Sequence, residues 1–558
     1  MTGSATGLGL ADFMIGAVST FSQGAPNKTY PQQVYLGLYA QDSWKLRPGL
    51  TLSYGLRWEP YFPPQFGQNI MSRFDMGAFL QGTKSQVFLN APPGTFYPGD
   101  PQFGPNGSAG RYTLWKDLAP RVGIIWDPRK NGKTVIRAAY GIFYDQNTVE
   151  LYSATGQGPP WGGRVTLTSP PGGLADPFAG QPGGNPFPFV LNKNTQFPQY
   201  GIFDTFNELT KIPDVQQWNF DIQKQFGQNW LVSASYLGNE VTHLYGFREL
   251  NPAIFLGLGT CTINGVAYNP CSTTANTNPR RLLTLLNPVE GPKYGFLDVW
   301  DDGGTRSYNG LLLNTQKRLS HGFIITANYT WSHCIGELIN TFPNGGTGGS
   351  GLYFASTRAG DRGDCTTSGS DVSNGGTDRR HIANLTGLAT MPKFSSKLLR
   401  TVGSDWRGSA TVSMYSGGGI TIVTGIDNAL NGINSTTQYA NQVLPNVYGN
   451  KTLNSLIGAG TTSLWINPAA FSQPAPGTMG NLAPGTVRGP GALIFNAGLS
   501  RLFAIRERQR MELRAEAQNL LNRTNFSDPN ATLNSSQFGK ITASGPARIM
   551  QFALKYSF

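Results

Sequence analysis

Apolar and polar positions alternate with a period of two in many stretches of the chain. From Leu50 to Glu59, Leu50, Leu52, Tyr54, Leu56 and Trp58 share one face, and Thr51, Ser53, Gly55, Arg57 and Glu59 the other. Phe323 to Ser332 repeats the pattern, with Phe323, Ile325, Ala327, Tyr329 and Trp331 set against Ile324, Thr326, Asn328, Thr330 and Ser332. Val122, Ile124 and Trp126, then Ile136, Ala138, Tyr140, Ile142 and Tyr144, then Trp218, Phe220 and Ile222, behave alike. Successive side chains of a strand point to opposite faces, so each run predicts a strand with one apolar side. The apolar side is aromatic and often ends in Trp or Tyr, whereas the polar side carries Arg, Asp, Gln and Asn. A wall with lipid on one side, a wet lumen on the other and aromatic girdles at the interfaces has this pattern.

The connections between runs add direction. Short links fall at Arg47–Gly49, Pro128–Gly132, Gly227–Gln228 and Ser320–His321; long, Gly- and Pro-rich stretches fall at Pro60–Asp117, Gln146–Pro213, Val241–Ser307, Cys334–Thr377 and Gly417–Pro490. Short and long alternate strictly, which in an up-and-down sheet puts every long loop on one rim. The predicted fold is all-β, an antiparallel up-and-down transmembrane β-barrel of the outer-membrane type with about 13 to 14 strands. Residues 34–558 form its wall and external loops; residues 1–33 hold a possible extra strand near Leu10–Val18 and an external loop. One segment supports two readings. In Arg506–Arg523, Leu513, Ala517, Leu520 and Leu521 have helical spacing, yet Met511, Leu513, Ala515 and Ala517 also alternate with Arg510, Glu512, Arg514, Glu516 and Gln518.

Composition narrows the class. The chain has 558 residues, of which 39% are hydrophobic and 12% aromatic. It lacks any run near the ~18–20 apolar residues of a membrane helix, which excludes a helical membrane protein but not a barrel. Charged residues make up only 13%, about half the usual share. The net charge of +12 comes from 43 Lys and Arg against 31 Asp and Glu. These basic residues are dispersed, without the patch of a nucleic-acid binder, and suit outer-membrane lipid and lipopolysaccharide. The four cysteines form two local pairs, Cys261/Cys271 and Cys334/Cys365, both in predicted external loops. Such spacing favours disulfides in an oxidising compartment. Met1–Asp12 lacks the basic-then-apolar pattern of a secretory signal, so an exported protein would be expected to begin upstream.

Several segments together resemble the TonB-dependent receptors with an Oar-like β-barrel. They are Tyr39–Trp44 with Leu50–Glu59, Leu118–Pro128 with Arg137–Asp145, Ser235–Leu244, Tyr329–Ser332, Asp378–His381, Arg488–Gly491 and, most specifically, Arg514–Phe526. The last match implies a strand through Ala517 and a loop after it. The alternating end of the chain, with Phe552, Leu554, Tyr556 and Phe558, resembles the signal read by the outer-membrane assembly machinery. The resemblance implies an energy-coupled importer rather than an enzyme. A complete receptor would add a signal peptide, a TonB box, a plug and the remainder of a wall of about 22 strands. This chain is therefore expected to be the C-terminal portion, a fragment that meets TonB only through parts it lacks. A non-transporting adhesin or a passive porin-like barrel is the alternative.

Candidate chemistry is sparse. The histidines His243, His321, His333 and His381 lack ligand spacing. His333 beside Cys334 reads as a strand end, Gly132-Lys133-Thr134 as a turn, and Arg362-Gly363-Asp364 as a chance tripeptide in a charged loop. No cofactor is expected. Asp298, Asp301 and Asp302, around Trp300, are candidates for Ca²⁺ or a cationic substrate, because clustered oxygens suit hard cations. Arg57, Arg137, Arg510, Glu512, Arg514 and Glu516 are expected to face the lumen. The identity of the extracellular ligand is not encoded in any of these features.

Overall fold

In the computed structural model the alternating runs pair into one large sheet. The structure describes residues 5–24, 29–146, 156, 158–161, 164–181, 184–187, 190–337, 362–365, 378–392, 394–396, 402–433, 438–449, 464–505 and 509–558. The wall strands are β1 (Leu38–Arg47), β2 (Leu50–Trp58), β3 (Leu118–Trp126), β4 (Thr134–Tyr144), β5 (Asp214–Phe226), β6 (Trp230–Glu249) and β7 (Tyr294–Ser320). They continue with β8 (Phe323–Glu337), β9 (His381–Thr390), β10 (Trp406–Tyr415), β11 (Ala492–Ala504), β12 (Arg510–Gln518) and β13 (Ile549–Ser557). Each pairs with the next, in chain order, and every one of these pairings is antiparallel. Among the described residues β1 and β13 each have one wall neighbour only, so the sheet is open at both edges.

Register carries the two faces from strand to strand, with irregularities at Lys45/Arg47, between Val241 and Gly246, and at Lys317/Ser320. One row of paired residues runs Trp44, Leu52, Ile124, Ala138, Phe220, Tyr236, Leu311, Trp331. The residue set opposite is polar: Asn314, Asn328, Asn384 and Ser413 form one row, and Gln316, Thr326, Thr386, Thr411 and Asn496 the next. Asn384 Nδ2 donates to Asn328 Oδ1 at 3.1 Å within this ladder. A slip of one residue would exchange the faces, so two-sided chemistry of this kind specifies register strongly. Leu52, Tyr54, Leu56, Phe323, Ile325 and Tyr329 lie on the apolar side, and Ser53, Arg57, Thr326 and Asn328 on the polar side.

The turns explain why one rim is tight. His321 and Gly322 both take positive φ, 52° and 80°, between the paired residues Ser320 and Phe323. Two such residues make the two-residue hairpin whose twist matches its strands. The other rim carries the long connections 59–117, 145–213, 250–293, 338–380, 416–491 and 519–548. Within these, 147–155, 157, 162–163, 182–183, 188–189, 338–361, 366–377, 434–437 and 450–463 lie outside the described residues.

What is described of the long connections is packed. Phe66, Met71, Phe96, Phe103, Phe206 and Trp300 form one buried cluster, and Phe74, Phe79, Phe203, Leu283, Tyr294 and Leu297 a second. A separate core, including Ile420, Ile422, Tyr439, Ile466, Val487 and Phe538, joins 416–491 to 519–548. Arg280, fully buried, ties the two regions together: Nη1 donates to Ile254 O at 2.6 Å, and Nη2 to Thr273 O and Leu430 O at 2.8 Å each. The long loops thus form a folded cap on one rim.

The start of the chain differs from expectation. The proposed strand at Leu10–Val18 is instead a short helix, Gly9–Met14. Asp12 fixes it, accepting from Thr6 N at 2.9 Å and Thr6 Oγ1 at 2.6 Å. The strand in this region is Thr20–Gly24, which pairs with Arg164–Thr168 of a long loop and not with the wall. The ambiguous segment resolves as β12, paired on both sides, with residues 506–508 outside the described set.

Candidate functional site

The polar face of the wall holds a concavity of ≈ 1090 Å³ lined by Gln41, Arg57, Arg121, Gln217, Asn239 and Tyr308 among others. Arg57 Nε donates to Glu59 Oε1 at 2.5 Å and lies 5.9 Å from the Tyr39 ring centre; Arg121 lies 4.4 Å from that of Phe143. Further down, Arg137 Nη1 donates to Asp221 Oδ1 and Gln223 Oε1, each at 2.9 Å. Arg510, Glu512, Arg514 and Glu516 project from alternate positions of β12 onto the same face, with Arg514 3.0 Å from Glu512 and 3.5 Å from Glu516. All six polar wall candidates therefore share one face, but the structure does not bring them into one site: Arg57, Arg137 and Arg514 each have their own acidic partners, Glu59, Asp221, and Glu512 with Glu516. Phe552, Leu554 and Tyr556 lie on the opposite, apolar face of the edge strand β13, and Phe558 follows its end.

Both cysteine pairs form disulfides. Cys261–Cys271, with Cα atoms 5.2 Å apart, closes a small hairpin in the 250–293 loop. Cys334–Cys365, at 5.3 Å, fastens the loop end of β8 to the short strand Arg362–Asp364.

Beside the second disulfide, three of the motifs noted in the sequence meet. Asp378 and Arg380 come from the first, Arg488 from the second, and Asp364 from the Arg-Gly-Asp tripeptide. Arg488 Nη2 donates to Asp378 Oδ2 at 2.7 Å and to Asp364 Oδ2. Arg380 Nη2 donates to Asp364 Oδ1 at 3.1 Å, and His333 Nε2 lies 2.7 Å from that oxygen. Among the described residues, His333, Asp364 and Asp378 are the one set whose ligand-type atoms all lie within 4.8 Å. Two guanidinium groups already balance the two carboxylates there, so the site has no charge deficit for a cation to fill. It is a clamp holding three loop segments to the rim. Asp364 is spent in that clamp, which removes the tripeptide as a free recognition element.

The acidic loop cluster does not survive as a unit. Asp301 Oδ1 accepts from Gly303 N at 2.8 Å and its other oxygen lies 3.6 Å from Arg248; Asp302 Oδ2 accepts from Lys211 N at 2.7 Å. Asp298 is separate and buried, on the extension of β7. Its neighbours in register are Asp204, on the short strand Gly201–Phe206, and Glu249, at the end of β6. Three buried carboxyl groups thus stand side by side on three adjacent strands. Asp204 Oδ1, Asp298 Oδ1 and Glu249 Oε2 are buried without a hydrogen-bond partner. Glu249 Oε1 accepts from Asn251 N at 2.7 Å and Leu297 N at 2.8 Å.

Glu249 lies 19 positions beyond the start of β6 at Trp230, and ~9–11 tilted residues cross a membrane, so this row lies outside the spanning part of the wall. Burial, then the Glu249 charge, pushes Asp204 up to about 7. Burial raises Asp298 well above the carboxylate range, reinforced by Glu249 and Asp204 and opposed by Arg281. Glu249 also moves up through burial, against the pull of the Leu297 amide, Arg281 and the Asn251 amide. Sequence reasoning found Asp298 but missed Asp204 and Glu249, which reach it from other loops; an acid inside the apolar run Gly201–Phe206 was the one available signal.

A family model described as an outer membrane beta barrel domain matches residues 1–551. No curated protein matches the chain. Similar solved structures include the outer membrane transporter YddB from Escherichia coli, 10% identical over 94% of this chain and 45% of that one, TM-score 0.42. The FrpB iron transporter from Neisseria meningitidis is 9% identical, over 95% of this chain and 46% of its own, TM-score 0.39. A mutant ferric enterobactin receptor, PfeA, from Pseudomonas aeruginosa is 11% identical, over 94% and 44%, TM-score 0.38. The chain spans under half the length of each of these three.

Proposed function

The chain belongs to the outer membrane beta barrel domain family, and on that premise we propose that it is the C-terminal part of the wall of a TonB-dependent receptor of the Oar-like kind, an energy-coupled importer. Its location is the outer membrane. The observation that carries the proposal is the run of β1–β13 in chain order with both edges unpaired among the described residues. In lipid, each unsatisfied backbone group costs several kcal/mol, so an open edge needs a partner strand. A transporter wall has about 22 strands, which leaves room beside β1 and β13 for the strands and plug that the resemblance implies. The cap would then face outward and meet the ligand, and the polar face would surround the plug. TonB would act through the plug region.

The test uses the full chain, exported to the outer membrane of its own host. A photo-crosslinker at Ala40 on β1 or Ala553 on β13 is expected to join the chain to further barrel strands rather than β1 to β13. In planar bilayers with KCl, the purified chain alone is expected to give no steady conductance. Cross-linking of β1 to β13 together with steady ohmic conductance would mean a self-closed passive pore and would overturn the proposal.

A further inference from the structure

The row Asp204–Asp298–Glu249 brings three buried acids together, each with one oxygen that lacks a hydrogen-bond partner. Asp298 has a carboxyl neighbour on each side in register, and like charges placed directly opposite on a sheet repel. The titratable groups acting on the row from the packed elements are Arg281, at the start of the short helix Leu282–Leu286, and Tyr200 behind it. Arg281 is itself engaged: Nη1 donates to Asn251 O at 2.9 Å and Nε to Asn278 Oδ1 at 3.0 Å, and it lies 4.1 Å from the centre of the Phe296 ring. With all three acids ionised, one guanidinium faces three negative charges in a buried site. Such a site must be neutralised by protons or by a cation. The three free oxygens do not form a set within ligating reach of one another, since among the described residues the one set that does so is the clamp at His333. Protons are the counter-charge that fits.

The position of the row gives protonation a mechanical consequence. Strand Gly201–Phe206 runs parallel to β7 along the part of that strand above its pairing with β8. It also suspends the 59–117 loop: Thr205 Oγ1 accepts from Phe74 N at 2.7 Å. Phe203 belongs to one aromatic cluster of the cap and Phe206 to the other. Detaching this one strand would open both clusters. We propose that Asp204, Asp298 and Glu249 are a proton-binding latch that fastens the cap to the wall strands β6 and β7 in acid and releases it as protons leave. The latch does not depend on the transport reading, and its readout needs neither ligand nor TonB.

The sign follows from linkage. A carboxyl group raised in the fold from its ordinary value near 4 stabilises the folded cap at low pH. That contribution fades as pH climbs above about 4 and is lost once pH passes the folded value, about 7 for Asp204.

The experiment is hydrogen exchange on the full chain in detergent micelles or lipid at pH 5, 7 and 9, read as protection factors so that intrinsic exchange rates cancel. Protection of residues 201–206 and 294–300 is expected to fall at least ~10-fold between pH 5 and 9, one pKa unit being a factor of ten, while β9–β12 stay unchanged. Asp204→Asn and Glu249→Gln should each weaken this pH dependence, and the double variant should keep the cap protected at pH 9. Glu249→Gln keeps an oxygen for the Asn251 and Leu297 amides, so it remains informative if an Asp variant does not fold. A pH-independent wild type, or a double variant with the full wild-type trend, would overturn the latch. Restoration of protection at pH 9 by millimolar Ca²⁺ would also overturn it, by showing a cation site instead.

Discussion

Tyr54 on the wall leaves 46% of its surface exposed, while Tyr97 in the cap leaves none. The contrast extends through both regions. On the wall, Trp44, Val122, Phe220, Leu313, Trp331 and Phe552 are all exposed large apolar residues. In the cap, Phe66, Phe79, Phe96, Phe103 and Phe203 are among the most deeply buried side chains. The wall places its apolar side where lipid is the solvent, so it needs only one chemical alternation and a continuous hydrogen-bond ladder. The cap stands in water and must bury its apolar side chains against one another, as any soluble domain does. One chain therefore answers to two solvents, and its two regions should respond to different perturbations.

The largest effect should come from the cap. Arg280→Ala removes a buried guanidinium from three carbonyls and the Asn276 side chain, at an expected cost of about 3–5 kcal/mol. Limited proteolysis should then cut within 250–293 and 416–449, while the wall keeps its heat-resistant gel mobility. Collapse of the wall together with the cap would break the separation. Next, Leu313→Arg on the apolar face should cost about 2–4 kcal/mol in folding titrations into lipid if it sits near the midplane, whereas Ser233→Arg on the polar face should be close to neutral. Equal costs would reverse the assigned faces. Replacing Cys261 and Cys271, which are 10 positions apart, by Ser should lower local cap stability by about 2–3 kcal/mol, read as hydrogen exchange confined to 250–293. The smallest effect should be Arg514→Ala, a half-exposed member of a charged row on the polar face, whose wall stability should not differ measurably from wild type.

These regions also differ in how far the sequence reveals them. Wall strands such as Leu50–Trp58 are legible because lipid enforces a period of two over their length. The segment around Arg514 carries helical spacing too, and only its pairing with Ser500 on one side and Ala553 on the other selects the strand. Leu10–Val18 misled because its apolar residues lack a partner strand, and the short-range bonds from Thr6 to Asp12 favour a helical turn. The motif residues Asp378, Arg380 and Arg488 are visible singly, but the clamp they form depends on loop closure over about a hundred residues. The acid row was hidden for the same reason: Asp204 and Glu249 acquire meaning only when three strands line up.

The strict alternation of tight turns and long loops has an evolutionary consequence. Insertions and deletions in the six long connections change neither strand register nor the opposite rim, where His321 and Gly322 allow no extra residue between Ser320 and Phe323. Descendants of this chain can therefore explore new recognition surfaces on one side of the membrane, while selection for insertion and assembly acts on a part of the molecule that those changes never touch.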